Sequence, residues 1–303
     1  MSDLFNDKNI MPMLLYQVEP FDDENYIYEL KLDGIRCLAY LDENTVILRN
    51  KRNKDVTDIY PELSNIHNCA KKKCILDGEL VIFKDGRPDF YSLQARSLKK
   101  DPFKIKLAAN KLPVQFVAYD MIYVDGERIT EKPLMKRKEM MAENLSESNG
   151  LSISRYIEKD GIAFFDLAKK QGLEGIVAKK KDGKYYIGKR TREWVKIKVL
   201  QDEDLLVCGY QPDSDGFVKD LILGYYEGKS LKPRGKVYLG VSKEERNIIK
   251  NFAERHTLSK ALFDEYQEKN IIWLKPELVG TVQYMHTTET GSMRQPVWKG
   301  LKM

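Results

Sequence analysis

Tyr26-Ile27-Tyr28-Glu29-Leu30-Lys31-Leu32-Asp33-Gly34-Ile35-Arg36 carries the reading of this chain. Tyr26–Leu30 is a short strand-like run, and it ends directly on a Lys-x-Asp-Gly-x-Arg element. By average residue usage such an element arises by chance in roughly one chain in a few hundred. Alone it admits two accounts. In the plain one a strand ends in an Asp-Gly turn flanked by two surface cations. In the other each residue carries chemistry. An amine can attack phosphorus, but an ordinary lysine pKa of ~10.4 leaves it protonated at neutral pH. Neighbouring cations or loss of water lower that value and free the lone pair. Gly34 allows close backbone approach, and Arg36 can fork onto ribose or phosphate oxygens.

Outward from this element the first 200 residues read as α+β with many antiparallel strands. Arg36–Leu41, Thr45–Arg49, Cys74–Phe83, Val114–Tyr123, Glu174–Lys181 and Trp194–Val199 are strand-like, with turn signals at Asp42-Glu43-Asn44, Lys84-Asp85-Gly86 and Asp125-Gly126. Leu134–Leu145 and Ile162–Gln171 are helical, the latter stopped by Gly172. A polar, acidic stretch, Gln201–Asp204, then precedes about 100 residues with strands near Leu205–Cys208, Leu221–Tyr226, Lys236–Leu239 and Val279–His286 and a helix over Lys243–His256. That content suits a small β-barrel. The expected domains are 1–200 and 201–303.

Composition narrows the class. Of 303 residues 42% are hydrophobic and 32% charged, enough for an ordinary core, which argues against disorder. No apolar run approaches the ~18–20 residues of a membrane span. The acidic residues of Met1–Asn9 do not read as a signal peptide, so a soluble cytoplasmic protein is expected. Cys37, Cys69, Cys74 and Cys208 form no C-x-x-C pair, and scattered thiols are read as reduced core residues. The net charge of +5 conceals a local excess. Between Lys179 and Lys198 nine cations face only Asp182 and Glu193, a window worth +7 over a remainder of −2. Such a run is commonly a solvated face. Here, however, Trp194-Val195-Lys196-Ile197-Lys198 alternates with period two, which puts Trp194, Lys196 and Lys198 on one side of a strand.

Taken in order, further segments join Lys31–Arg36: Leu76-Asp77-Gly78-Glu79-Leu80, Phe116-Val117-Ala118-Tyr119-Asp120, Glu174-Gly175-Ile176-Val177-Ala178-Lys179, Trp194–Lys198, and Met293-Arg294-Gln295-Pro296-Val297-Trp298-Lys299-Gly300-Leu301-Lys302. In this sequence and spacing they resemble the motifs of ATP-dependent DNA ligases, within the covalent nucleotidyltransferases that include RNA ligases and mRNA-capping enzymes. Phe90-Tyr91-Ser92-Leu93-Gln94-Ala95-Arg96 and Pro296–Leu301 look most like DNA ligases, and the latter like the ligase domain of bacterial end-joining ligase D. The resemblance implies an antiparallel-sheet nucleotidyltransferase (adenylation) domain followed by an OB-fold barrel, a minimal ligase acting as a monomer.

It also implies roles. Lys31 becomes Lys–AMP. Glu29 reads the adenine amino group and Tyr119, where most relatives have Phe, stacks on the base. Glu79 and Glu174 bind ribose and a divalent metal, Mg²⁺ or Mn²⁺. Lys179, Lys196 and Lys198 neutralise the triphosphate of ATP. Arg190 matches a basic position beside the paired lysines, and Arg294 and Lys299 meet the pyrophosphate side. Lys51, Arg52, Arg96, Lys180, Lys181, Lys184, Lys189, Arg190 and Arg192 are candidates for DNA. At the third strand an ungapped match puts Lys51 where relatives carry Arg, with Arg52 beside it, so both stay open. The implied substrate is nicked double-stranded DNA, in a bacterial nucleoid or phage-infected cell, with Ku or another DNA-end or clamp protein as a candidate partner. The barrel would close over ATP and turn toward DNA about a hinge at Gln201–Asp204. An RNA ligase or capping-type enzyme using the same lysine, and a non-catalytic nucleic-acid-binding protein, are the alternatives. End joining, excision repair and phage replication all stay open.

Overall fold

Tyr26–Leu30 and Ile35–Asp42, the strands on either side of Lys31, belong to different sheets. This computed structural model describes residues 3–266, 268, 270–288 and 291–302. The chain divides into two units, Met1–Val199 and Leu200–Met303. In the first unit one sheet runs Leu14–Gln17, Arg190–Lys198, Gly175–Lys180, Tyr26–Leu30, Tyr156–Glu158. The other runs Leu151–Ile153, Gln115–Val124, Cys74–Val81, Ile35–Asp42, Thr45–Asn50. Pairing is antiparallel except where Leu14–Gln17 meets Arg190–Lys198 and Leu151–Ile153 meets Gln115–Val124.

The two-residue period of a strand decides which side chain goes where. In Tyr26–Leu30, Tyr28 faces outward and packs with Ala168, Ile176 and Ile197 under the helix Gly161–Lys170. Ile27 faces inward, into a core shared between the sheets with Met13, Leu38, Tyr40, Ile75, Ile122 and Trp194. Glu29 and Lys31 continue that inward row. The Lys31 N–H still donates to the Gly175 carbonyl at 2.9 Å, so strand geometry persists to the lysine. The far face of the second sheet carries a third core, with Leu76, Phe116 and Met121 against Leu93 and Met141 of the helices Phe90–Ser97 and Leu134–Asn144. All four cysteines are free and buried. At Gly34 the chain passes so near the second sheet that a Cβ would lie 2.4 Å from the Leu80 carbonyl oxygen, and only glycine fits.

The second unit is a seven-stranded sheet with the helix Lys243–His256 against it. Ser242 and Glu245 cap that helix reciprocally. Glu245 Oε1 also accepts from Trp298 Nε1 at 2.9 Å and from the Leu301 N–H at 2.8 Å. The expected hinge is corrected here: Gln201–Asp204 opens the strand Gln201–Pro212 and pairs with Thr281–Tyr284. Two of its three acids are bonded to other strands. Glu203 accepts from Arg234 at 2.8 Å and from the Tyr284 hydroxyl at 2.6 Å, and Asp204 from Thr281 at 2.7 Å and from Lys302. Among the described residues no helix is long and apolar enough to cross a membrane.

One ion pair pins the first unit from inside. Arg137 and Asp120 are both 0% exposed, with Nη2 to Oδ2 at 2.7 Å, and Arg137 Nη1 donates to the carbonyls of Lys132 and Gly183. Helix, sheet and the connection after Gly175–Lys180 thus share one guanidinium. Arg137→Met strands a buried carboxylate and should cost about 3–5 kcal/mol in urea unfolding. Replacing both partners by apolar residues should cost less.

Candidate active site

Where the chain crosses between the sheets, Lys31 Nζ lies 2.6 Å from Glu174 Oε2, and Lys198 Nζ 3.8 Å from Glu174 Oε1. The lysine side chain is 22% exposed, the glutamate 7%. Glu174 reaches this spot because Gly175, at φ +138°, turns the chain where a Cβ would lie 2.1 Å from the Ile197 carbonyl. Lys196 stands two residues before Lys198 on the same face. Burial lowers its pKa first, and the like charges of Lys198, Lys31 and Arg190 add to that. The nearest charge to the Lys31 amine is therefore a carboxylate, with cations around it. Across the gap, Glu79 pairs in register with Arg36. Burial pushes the Glu79 carboxyl up to about 8, Asp77 and Glu174 add to this, and Lys31 and Arg36 oppose it.

The inward row ends differently at Glu29, which is 2% exposed. Its Oε1 lies 2.6 Å from Lys138 Nζ, and its Oε2 accepts from Lys179 Nζ and from Ser154 Oγ, both at 2.9 Å. Burial alone would raise its pKa, but Lys138 and then Lys179 outweigh burial and hold it below the ordinary value. Burial in turn pushes Lys179 down to about 8. Tyr119 stands beside this cluster. Pairing jumps from Gly78↔Ala118 to Asp77↔Asp120, so Tyr119 is the extra residue of a bulge, a device that re-aims a side chain. Its ring meets Trp194 edge to face at 6.0 Å, with Lys179 Nζ 4.5 Å from its centroid.

Three expectations need correction. Arg36 does fork, but onto Asp77, at 3.0 and 2.6 Å, and it also donates to the Met13 carbonyl. Its position beside the fully buried Asp77 makes it a shaper of the pocket wall. Lys179 lies with Glu29, not with Lys196 and Lys198. On its strand it pairs with Trp194, four residues from Lys198, or roughly 13 Å. Arg96, expected at DNA, is 1% exposed and donates to Glu62 and to the carbonyls of Ile59 and Ile105, so it holds the fold together.

The other basic candidates are at the surface. Lys51 and Arg52 are exposed in the turn after Thr45–Asn50, and Lys189 and Arg192 are exposed too. Lys180, Lys181 and Lys184 pair with Asp182, Glu158 and Glu131, and Arg190 donates to the Leu15 carbonyl. Arg294 and Lys299 belong to the second unit, where Lys299 Nζ donates to Gln283 at 3.3 Å. Sequence reading missed Lys138 and Ser154 altogether and gave Asp77 no role. Leu134–Asn144 carries three cations in a row, Lys136, Arg137 and Lys138, and nothing local tells that the last two turn inward.

The acids fit a divalent ion held jointly with substrate phosphates. Glu79 makes no salt bridge among the described residues, and both carboxylates offer hard oxygens, while no cluster of three or more His, Cys, Asp or Glu builds a cage. Glu79 also gives a pH signature. In the unfolded chain it ionises near 4.5, in the fold near 8, so folding takes up a proton between these values. Its contribution therefore makes stability fall as pH rises from about 4.5 to about 8. Thermal midpoints of Glu79→Gln measured from pH 5 to pH 8 should lack this downward slope.

Residues 12–198 match the family model of the ATP dependent DNA ligase domain, and residues 214–303 that of the ATP dependent DNA ligase C-terminal region. The multifunctional non-homologous end joining DNA repair protein LigD of Mycobacterium tuberculosis is 30% identical over 311 aligned residues, covering 99% of this chain but 39% of that protein. The chain thus spans less than half of that relative. The SPbeta prophage-derived DNA ligase-like protein LigB of Bacillus subtilis is 35% identical over 223 residues, 73% of this chain and 77% of that protein. The crystal structure of the M. tuberculosis LigD ligase domain superposes with a TM-score of 0.58 at 28% identity, covering 97% of this chain and 95% of that one. A mycobacterial DNA ligase D complexed with ATP and MES gives the same TM-score at 29% identity, with the same coverage. The α+β sheets of the first unit and the OB-fold-like second unit are the two parts of that architecture, and the chain belongs to the ATP-dependent DNA ligases.

Proposed function

We propose that this protein seals nicks bearing a 3′-hydroxyl and a 5′-phosphate in double-stranded DNA, using ATP and a covalent Lys31–AMP. The observation that carries this reading is the Lys31–Glu174–Lys198 cluster at 2.6 and 3.8 Å, flanked by Glu79. DNA binding alone needs neither a half-buried amine nor two partly buried acids beside it. In the first step the deprotonated Lys31 amine forms a bond to the α-phosphorus of ATP as the bond to the bridging oxygen breaks, and pyrophosphate leaves. The 5′-phosphate oxygen at the nick then attacks the same phosphorus and displaces Lys31. The 3′-hydroxyl finally attacks the DNA phosphorus and AMP departs. Each displacement is in line, so side chains chiefly position groups and balance charge.

Tyr119 stacks on the base and Glu29 accepts from the adenine amino group. Lys196 and Lys198, grouped with Lys31 and Glu174, would neutralise the phosphates. Glu79 and Glu174 would hold a divalent ion, Mg²⁺ or Mn²⁺, which when bound supplies positive charge to the phosphates. Lys51, Arg52, Lys180, Lys181, Lys184, Lys189, Arg190 and Arg192 would contact DNA. The ion pairs of the exposed ones are worth only ~0–1 kcal/mol, so phosphate can replace their partners. Arg294 and Lys299 are candidates for the pyrophosphate side. We take 1–200 and 201–303 as the working domains. The relatives named for end joining make repair, with Ku or another DNA-end protein as partner, the favoured context.

The protein incubated with Mg²⁺ and ATP labelled at the α-phosphate should acquire acid-labile label that Lys31→Ala abolishes. Nicked DNA should discharge it. Label persisting in Lys31→Ala would overturn the mechanism, and discharge by nicked RNA alone would point to an RNA ligase. Lys198→Ala should slow labelling on the order of 10²–10³-fold. Binding to nicked DNA should weaken steeply with salt, and Lys189→Ala or Arg192→Ala should each lower the log–log slope by about 1.

A further inference from the structure

The nucleobase end of the pocket holds more charge than stacking and one hydrogen bond require. Glu29 is nearly inaccessible, yet it faces two ammonium groups, Lys138 from the helix Leu134–Asn144 and Lys179 from the strand Gly175–Lys180. Ser154, just past Leu151–Ile153, donates to the oxygen that Lys179 holds, which leaves Oε1 to Lys138. Both lysines also donate to the Tyr119 carbonyl, at 3.2 and 3.3 Å, so the stacking residue and the acid share their anchors. Tyr156, opposite Glu29 in register, puts its ring 5.3 Å from Lys138 Nζ, and Asp120 is the further acid acting on Lys179. Lys138 is 6% exposed, and the ligase steps themselves leave it without a task.

We propose that Lys138 is a positioning residue that makes the pocket selective for adenine over 6-oxopurines, by keeping Glu29 an acceptor and never a donor. This rests on the ATP reading of the site. Adenine presents a 6-amino donor, which an ionised carboxylate accepts. A 6-oxopurine presents an oxygen there, and two acceptors face each other without a proton between them. With Lys138 gone, only Lys179 on Oε2 opposes the burial that raises the Glu29 carboxyl, so the carboxyl takes up a proton on the freed Oε1 and can then donate to the 6-oxo group. Lys138 thus enforces rejection through the protonation state of its partner. It needs no contact with the base.

Inosine triphosphate is the probe, because it differs from ATP at the 6-position and its adjoining N1–H alone. Label transfer to Lys31 is measured for both nucleotides from pH 6 to pH 9. The wild type should prefer ATP by on the order of 10³-fold or more. In Lys138→Met at pH 7 that ratio should fall at least about tenfold, with the rate at saturating ATP nearly kept, and it should recover toward pH 9 as Glu29 ionises. Lys138→Arg should retain the wild-type ratio. Glu29→Gln, whose amide can present either donor or acceptor, should lose the ratio at every pH. An unchanged ratio in Glu29→Gln would overturn the inference even if Lys138→Met fails to fold. Equal loss of both nucleotides in a folded Lys138→Met would overturn it as well. A wild type that labels with neither nucleotide would instead bring down the ATP reading, and this inference with it.

Discussion

Asp77, fully buried, ties the two sheets of the first unit to each other. It stands on a strand of the second sheet and accepts from Nε and Nη2 of Arg36, its neighbour there. It also accepts from the Tyr185 hydroxyl at 2.7 Å, and Tyr185 comes from the connection between two strands of the first sheet. Tyr185 accepts from the Met13 N–H, and Arg36 donates to the Met13 carbonyl, so the circuit closes on the segment entering the first sheet. In a low-dielectric interior such a circuit is worth keeping only if every member is satisfied. This one is, and it fixes the spacing across which Lys31, Glu79 and Glu174 must cooperate.

The pocket that results has two electrostatic ends. At one, a carboxylate is outnumbered by ammonium groups and sealed from water. At the other, amines and acids alternate in partial contact with solvent. The difference in burial does the sorting: the sealed end holds its charges in fixed pairs, while the open end keeps groups whose partners can change when phosphate arrives. Trp194 and Tyr119 set aromatic rings against the sealed end, with Lys179 4.1 Å from the Trp194 ring centroid and 4.5 Å from that of Tyr119.

Much of this was legible in the sequence, and the failures share one cause. Tyr26–Leu30 and Lys243–His256 were readable to the residue because each carries its own period and its own stop signals. The motif order singled out Lys31, Glu79, Glu174 and Lys198, which the fold brings together, because each motif is read from residue types at fixed local spacing. What failed were judgements on single side chains that needed a distant partner outside the motifs. Arg96 reads as a surface cation until Glu62, 34 residues earlier, is brought against it. Lys179 reads as a phosphate ligand until Glu29 arrives from 150 residues away. Gln201–Asp204 reads as a hinge because four polar residues look solvated, and the strand that pairs them lies about 80 residues on.

The bulge at Tyr119 has an arithmetic side. Gln115–Val124 spends ten residues opposite the eight of Cys74–Val81, and the two left over are Tyr119 and Ile122. Each surplus residue flips the phase of the strand beyond it, so Phe116, Ala118, Met121 and Val124 all reach the outer core while Tyr119 and Ile122 turn inward. The strand is thus read in a broken meter, and its length is part of its meaning. Deleting Tyr119 would close one of the two bulges, leave nine residues opposite eight, and remove the inward side chain at that place. Substitutions here can be absorbed one at a time, but a change in count cannot.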